Sequence, residues 1–208
     1  NGSFDNCSFT QTLTPNTFGC GNVGANSVIL RSTDASGNTS TCSAIVTVKD
    51  VNAPNALCKN ATIYVNDAGN ATLNTSHINN GSSDACGIST MTLSKTQFNC
   101  SDLPGSSQTV TLTLKDVNNN TSSCNAQVTT KDNLAPTAVC QNTTVTLSNG
   151  SVTVYGANLA ANSFDNCSVW SYSPVAKVYT AIGVYNLVIT VKDWSNNAAT
   201  CTSVVTVS

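Results

Sequence analysis

A three-residue pattern, repeated three times roughly 80 residues apart, constrains the fold of this chain most strongly. In each copy an Asp is followed by Asn four positions on and by Cys eight positions on. Alternating apolar runs flank every copy, which is typical of a β-hairpin with a polar turn. This period predicts an all-β fold of tandem immunoglobulin-like β-sandwich repeats. The copies are Asp34/Asn38/Cys42, Asp116/Asn120/Cys124 and Asp193/Asn197/Cys201.

Two further motifs recur in the same register and mark the borders of the repeats. Ala-Pro-x-Ala-x-Cys-x-Asn-x-Thr occupies residues 53–62 and 135–144, where the proline ends one strand and the cysteine begins the next. Asp-x-Cys occurs at Asp5/Cys7, Asp84/Cys86 and Asp165/Cys167. We therefore predict a partial module over residues 1–51 and two complete modules over residues 52–133 and 134–208.

Residues 1–51 match only the second part of a module, so its first strands are expected to be missing. Two explanations remain open: the chain is cut within a repeat, or another chain supplies the strands. An edge strand left open in this way favours self-association through the end strands.

Ten cysteines predict an oxidising, extracellular location at the cell surface. Metal binding through thiols is disfavoured, because no Cys-x-x-Cys occurs and His77 is the only histidine. The chain has no 18-residue apolar run and opens without a signal-peptide pattern, so no direct membrane insertion of this segment is expected.

Equivalent cysteines of the repeats are expected to pair equivalently, although spacing alone does not prove connectivity. The expected long pairs join the first and last strands of a module, and the expected short pairs close local loops. Two cysteines are left over: Cys42, whose partner would precede residue 1, and Cys167, whose local partner is absent; each is expected to be free or to link to another chain. The predicted pairs are Cys58–Cys124, Cys140–Cys201, Cys86–Cys100 and Cys7–Cys20.

The low charge of the chain excludes several classes of partner. Only 9% of residues are charged and the net charge is −2, so nucleic acid and anionic lipid are poor partners. Neighbouring repeats of the same chain are the expected partners, with a surface polysaccharide or a protein as the candidate ligand.

The combination of the Asp/Asn/Cys hairpin, a Val-rich strand and Ala-Pro-x-Ala-x-Cys resembles the HYR (hyalin repeat) domain, an immunoglobulin-like module. The form with Asp-Asn-Cys resembles repeats that fill very large surface adhesins of Bacteroidetes, including gliding-motility adhesins. The resemblance covers the whole chain. It implies pairing of first-strand with last-strand cysteines, in agreement with Cys58–Cys124 and Cys140–Cys201.

We do not expect the chain to be an enzyme. His77 has no nucleophile-elbow glycines nearby, which disfavours a hydrolase triad. Eight of the ten Asp residues fall within the repeated motifs and junctions, and carboxylates repeated once per module indicate a shared structural role rather than one active site.

Calcium is the only candidate cofactor, because Asp, Asn and backbone oxygens at the module junctions are ligands that this ion prefers. The alternative is that these Asp side chains only accept backbone hydrogen bonds in turns. The candidate ligands are Asp50, Asn52, Asp132 and Asn133 at the junctions, with Asp84 and Asp165 as further donors.

Three functions follow from these features. The leading hypothesis is a structural stalk of a cell-surface adhesin. The first alternative is a carbohydrate- or protein-binding module using Trp170 and Tyr172, which lie with Tyr179 and Tyr185 in the third module; core packing is the other role for these aromatic side chains. The second is an accessory region of a secreted hydrolase.

Overall fold

β-Strands form nearly all of the regular secondary structure. The structure is a computed structural model, and it describes Phe4, residues 7–103 and residues 107–208. Short helices α1 (Thr75–Ile78) and α2 (Gly156–Leu159) are the described α-helices, and neither is long and apolar enough to cross a membrane. The all-β prediction is therefore confirmed. The strands are β1 Phe9–Thr14, β2 Gly24–Asp34, β3 Thr39–Val48, β4 Ala61–Tyr64, β5 Asn70–Thr72, β6 Ile88–Leu93, β7 Gln97–Asn99, β8 Gln108–Asp116, β9 Thr121–Lys131, β10 Thr143–Val145, β11 Val152–Tyr155, β12 Val169–Ser173, β13 Ala176–Tyr179, β14 Gly183–Asp193 and β15 Ala198–Val207.

The second and third repeats have the same sheet arrangement. Each has a four-stranded sheet, ordered β4-β9-β8-β6 or β10-β15-β14-β12, and a two-stranded sheet, β5-β7 or β11-β13. In the third repeat, buried apolar side chains of β11, β13, β14 and β15 form one cluster with α2. This packing of two sheets on a common core is the predicted β-sandwich.

The first repeat contributes a three-stranded sheet of order β1-β2-β3. Strands β2 and β3 pair antiparallel, as do β14 and β15, which confirms the hairpin prediction for these copies of the Asp/Asn/Cys motif. The turn of each hairpin requires a left-handed residue three positions after the Asp, where Gly or Asn is tolerated best. Gly37, Asn119 and Asn196 occupy this position with φ of 85°, 75° and 68°.

The described residues form two compact units. The first unit draws on Asn1–Ala56, Gly81–Met91 and Thr113–Ser123. The second unit draws on Leu57–Asn80, Thr92–Leu112 and Cys124–Ser208. The module boundaries at residues 51/52 and 133/134 stay a prediction from the sequence.

Two disulfides join the first and last strands of a module, as predicted. Cys58 bonds Cys124, and Cys140 bonds Cys201. Cys58 and Cys140 each lie three residues before a short strand, β4 or β10. That strand pairs parallel with the strand that contains the partner cysteine, β9 or β15. Within the described part of the chain, Cys42 is an exposed free thiol. Its predicted state, free or linked to another chain, stays a prediction.

The predicted short pairs Cys7–Cys20 and Cys86–Cys100 are wrong, and so is the expectation that Cys167 is unpaired. Cys20 bonds Cys86 and Cys100 bonds Cys167, so these two disulfides link neighbouring sequence repeats rather than lying within a module. The physical reason is that Cys86 precedes β6 and Cys100 follows β7. These two strands belong to different sheets, which separates cysteines only 14 positions apart in the sequence.

A glycine allows the close approach of chain segments around the second of these disulfides. Gly69 has φ of 71°, and a Cβ atom there would lie 2.6 Å from Cys100 Sγ and 2.9 Å from the backbone oxygen of Asn166. Any side chain would therefore displace the turn that packs against the Cys100–Cys167 bond.

We expect the double substitution Cys100→Ser/Cys167→Ser to lower the free energy of unfolding by about 4 kcal/mol, because the bond closes a long loop in the unfolded chain. Denaturant titration measures this loss, and Cys42→Ser, which removes an exposed thiol, is the control and should change little. Peptide mapping without reduction that joined Cys86 to Cys100 would contradict the observed pairing.

Candidate metal centre

The hairpin Asp residues are held by hydrogen bonds from their own turn. Asp193 accepts the backbone N–H of Asn197 at 2.9 Å with Oδ1 and the Asn197 Nδ2 amide at 2.7 Å with Oδ2. Asp116 accepts the backbone N–H groups of Asn118 and Asn120 at 2.8 Å and the Asn120 amide at 2.7 Å. The four-residue spacing of the repeat motif is therefore the geometry of one capped turn.

The same Asn side chains reach a second segment, the junction that follows the preceding repeat. Asn120 Nδ2 donates to the backbone oxygen of Asp50 at 3.3 Å. Asn197 Nδ2 donates to the backbone oxygen of Asp132 at 3.1 Å. Each hairpin turn is thus tied to a junction Asp by the residue that closes the hairpin.

The junction Asp residues cap turns of their own. Asp50 Oδ1 accepts the backbone N–H of Asn52 at 3.1 Å, and Asp132 Oδ1 accepts that of Leu134 at 3.0 Å. Asn52 therefore contributes a backbone donor to the junction. Asn133 has an exposed side chain.

The Asp of each Asp-x-Cys motif is fixed by the backbone around its cysteine. Asp84 Oδ1 accepts the N–H groups of Cys86 and Gly87 at 2.8 and 3.0 Å. Asp165 Oδ2 accepts the N–H of Cys167 at 2.8 Å. Cys86 and Cys167 are both disulfide-bonded. The backbone N–H groups that hold these two carboxylates therefore belong to cross-linked residues.

Three carboxylates converge in each unit. Within each group, one carboxylate oxygen per residue lies within 4.8 Å of the others. Asp116 and Asp193 are almost fully buried, at 1% and 0% exposure. We name the groups the first trio (Asp50, Asp84 and Asp116) and the second trio (Asp132, Asp165 and Asp193).

Each trio is accompanied by an oxygen that lacks a hydrogen-bond donor. Among the described side chains, Asp50 Oδ2 and Asn118 Oδ1 in the first unit are buried without a partner. In the second unit, Asn166 Oδ1 is also buried without a hydrogen-bond partner. The Nδ2 atom of Asn166 donates to Asp132 Oδ1 at 3.4 Å. Three converging carboxylates, one of them with a partnerless buried oxygen in the first trio and one contacted by Asn166 in the second, form a donor set that fits a hard divalent cation such as Ca²⁺.

The second trio carries like-charge repulsion. Burial raises the pKa of Asp165 above its ordinary value of 3.8, and the negative charges of Asp132 and Asp193 raise it further. In the first unit, burial raises the pKa of Asp116, but the hydrogen bonds from Asn120 and Asn118 outweigh burial and its pKa is lowered overall. Asp116 therefore keeps its negative charge although its side chain is almost fully buried.

The structure thus brings together Asp50 with Asp84 and Asp132 with Asp165, four of the candidate ligands. It adds Asp116 and Asp193, which sequence reasoning assigned only to the hairpins. The recurrence of these hairpin Asp residues in register with the other motifs is the pattern that could have identified them.

The other candidate residues have separate environments. His77 Nδ1 accepts the backbone N–H of Asn74 at 3.0 Å and so caps α1. Tyr172 packs against the core of the third repeat. Trp170 is half-exposed and stacks on Trp194, with ring centroids 5.3 Å apart. Beside this pair, a cavity of about 280 Å³ is lined by Trp194, Leu103 and the Cys100–Cys167 disulfide.

Comparisons with known proteins give only distant similarity. No family model and no curated protein matches the chain. It is similar to mouse clustered PcdhgC3 EC1-3 at 12% identity and a TM-score of 0.33, covering 88% of this chain and 76% of that one. For Protocadherin Gamma C5 EC1-3 the values are 11%, 0.39, 90% and 78%, and for Drosophila OTK extracellular domains 3-5 they are 8%, 0.33, 88% and 71%. Identities and TM-scores this low do not establish a shared function.

We expect Asp165→Asn to raise the melting temperature slightly in the presence of a chelator, because the amide keeps an acceptor for the Cys167 N–H and removes one of three like charges. The folded state binds the Asp165 proton more tightly than the unfolded state, so Asp165 makes stability fall as the pH rises from about 3.8 through its raised pKa. Thermal melts over this pH window measure the effect, and a variant that melted below the wild type in chelator would contradict it.

Proposed function

We propose that the chain is a structural stalk segment of an extracellular cell-surface adhesin and has no catalytic role. The carrying observation is that two trios of carboxylates are built identically from three repeated motifs. A site that recurs at both junctions between repeats serves each junction in the same way, as the joints of a stalk do. The resemblance to HYR repeats and to gliding-motility adhesins of Bacteroidetes supports this proposal.

The disulfides support an extracellular location for this function. Four disulfides are present in the described chain, two of them between neighbouring sequence repeats. Such bonds persist in oxidising compartments and are rare in the cytosol. Bonds between repeats would also limit how far an unfolding repeat can be extended, which suits a segment that bears load.

In this proposal, Ca²⁺ bound at the two trios fixes the junctions between repeats. The ion would offset the repulsion among three carboxylates and provide a partner for the buried oxygens of Asp50 and Asn118. Junction Asp50 and hairpin Asp116 would then coordinate the same ion. The ion would resist their separation more strongly than the Asn120 hydrogen bond does alone.

Thermal unfolding with Ca²⁺ or with chelator tests the calcium component. At a free Ca²⁺ concentration one hundred times the dissociation constant, about 2.7 kcal/mol of stabilisation is expected. Asp116→Asn and Asp193→Asn should each lose the calcium-dependent increase of the unit that contains the substituted residue. Asp34→Asn is the matched control: Asp34 makes the same turn hydrogen bonds with Ser36 and Asn38 but belongs to neither trio.

The control separates loss of a turn from loss of a ligand. All three substitutions remove the acceptor for an Asn amide, so any equal decrease in chelator reports the hairpin itself. Calcium-dependent stabilisation that survives in both Asp116→Asn and Asp193→Asn, or that is absent from the wild type, would overturn the calcium component.

A second candidate function, carbohydrate binding, is favoured by the stacked pair Trp170–Trp194. Both indoles are about half-exposed, at 51% and 52%, and exposed aromatic faces can stack on sugar rings. We expect Trp194→Ala to abolish binding to any glycan that the wild type captures on a glycan array. Tyr64→Ala, which removes an equally exposed aromatic ring at 53% exposure, should leave that binding intact. If the wild type captures no glycan on the array, carbohydrate binding is rejected.

A further inference from the structure

Lys95, Asp102 and Gln108 form a group in which each side chain contacts the other two. Lys95 Nζ donates to Asp102 Oδ1 and to Gln108 Oε1, both at 2.7 Å. Gln108 Nε2 donates to the same Asp102 oxygen. An amine, a side-chain amide and a carboxylate are therefore in mutual contact, and we name this group the Lys–Asp–Gln cluster.

The repeated motifs do not account for this cluster. Asp102 lies outside all of the Asp motifs that recur along the chain. Gln108 stands eight positions before the hairpin Asp116, and the residues at the same distance from the other two hairpin Asp residues are Asn26 and Tyr185. The cluster is therefore a feature of the second repeat rather than of the fold that the repeats share.

The surroundings of the cluster are poor in water. Asp102 is 9% exposed, and the fully buried ring of Phe98 lies 4.4 Å from Lys95 Nζ. The other carboxylate oxygen, Asp102 Oδ2, is held by the backbone N–H of Asn99 at 2.9 Å. The Lys95 side chain is 37% exposed, so the cluster has an opening to solvent on that side.

The backbone keeps the amine and the amide together. Lys95 lies just after β6, and Gln108 begins β8, which is the neighbour of β6 in the four-stranded sheet. Next to the cluster, Ser94 N–H donates to the Thr111 backbone oxygen and Thr111 N–H donates to Ser94 Oγ, both at 3.0 Å. A reaction between Lys95 and Gln108 would therefore need no encounter through solvent, which removes much of its entropic barrier.

Asp102 is placed to move protons between the two nitrogen atoms. Its Oδ1 contacts Lys95 Nζ, which must lose a proton to become a nucleophile, and Gln108 Nε2, which must gain a proton to leave as ammonia. Burial raises the pKa of Asp102, but hydrogen bonds from Lys95, the Asn99 backbone and Gln108 outweigh burial, and its pKa is lowered overall. The carboxylate is thus in the ionised form that accepts a proton.

We propose that Lys95 and Gln108 become joined by an isopeptide bond, with Asp102 as the residue that transfers the protons. The bond would tie the end of β6 to the start of β8 covalently and, unlike the disulfides, would resist reducing agents. The site is separate from the two trios and does not depend on the calcium proposed there.

The reaction is a transamidation that is balanced within the chain. Asp102 Oδ1 takes a proton from the Lys95 ammonium, and the amine attacks Gln108 Cδ. The Nζ–Cδ bond forms, Asp102 returns the proton to Nε2, and the Cδ–Nε2 bond breaks. One ammonium proton stays on the new amide nitrogen and the other two leave with Nε2 as an ammonium ion, so no oxidant or co-reactant is needed.

Mass spectrometry of the full chain tests this proposal. After reduction of the disulfides, we expect the wild-type mass to be lower than the sequence mass by one ammonia. Trypsin should fail to cleave after Lys95, so residues 60–115 should be recovered as one peptide with the same loss. The full sequence mass together with cleavage after Lys95 would overturn the proposal.

A different loss of ammonia has to be distinguished from the cross-link. Asn80 precedes Gly81 within the same peptide and can lose ammonia by forming a cyclic imide. The imide leaves cleavage after Lys95 intact and hydrolyses in mild base, whereas the isopeptide bond blocks the cleavage and persists. A loss of ammonia that disappears in mild base would count against the cross-link.

Three variants assign the roles within the cluster. Lys95→Arg keeps a positive charge beside Asp102 but removes the amine, so it should have the full sequence mass. Asp102→Asn should slow cross-linking by about a hundredfold, because it removes the proton acceptor; the cross-linked fraction is followed by mass spectrometry after synthesis. Gln127→Ala, the matched control, removes a glutamine that contacts Thr109 and should leave the loss of ammonia unchanged.

Circular dichroism establishes whether each variant is folded. If Lys95→Arg or Asp102→Asn does not fold, the mass and the tryptic peptides of the wild type still decide whether the bond exists. A loss of ammonia that persists in folded Lys95→Arg, or an unchanged rate in folded Asp102→Asn, would contradict the assigned roles.

Discussion

The paired hydrogen bonds between a hairpin Asp and the Asn four residues on position much of the structure around them. In the third repeat, Asn197 satisfies both oxygens of Asp193 and also donates to the backbone of Asp132. One side chain thereby closes a hairpin, compensates a carboxylate that is fully buried, and attaches the hairpin to a junction. A buried carboxylate without such donors would cost several kcal/mol, so the turn and the carboxylate depend on each other.

The disulfides between repeats act on the same carboxylates. Cys167 donates its backbone N–H to Asp165, and its sulfur bonds Cys100, which lies against the Gly69 turn. The position of the Asp165 carboxylate is therefore set by a covalent bond to the preceding sequence repeat. Cys86 holds Asp84 in the same way in the first unit. Reduction of these bonds would loosen one carboxylate of each trio while leaving the hairpin carboxylates in place.

The repeat pattern predicts the strands, the hairpins and the disulfides between first and last strands, because these depend on residues that are local or equivalent in every module. The pairing of Cys86 with Cys100 fails as a prediction, because 14 residues are enough for the chain to cross from one sheet to the other. The part of the trios supplied by Asp116 and Asp193 was missed for a different reason. Each carboxylate has two oxygens, and a residue with an evident role in a turn can also face neighbouring acids.

The first copy of the hairpin forms outside the two trios. Asp34 makes the same bonds to its turn as Asp116 does, yet it is only half-buried and belongs to neither trio. Asp34 and Asn38 therefore close this hairpin through their own hydrogen bonds. Since strands, turns and disulfides already account for the fold of each repeat, a cation at the trios would act mainly on the junctions. In the proposed function, calcium would then regulate how firmly Asp50 and Asp132 are held at the junctions.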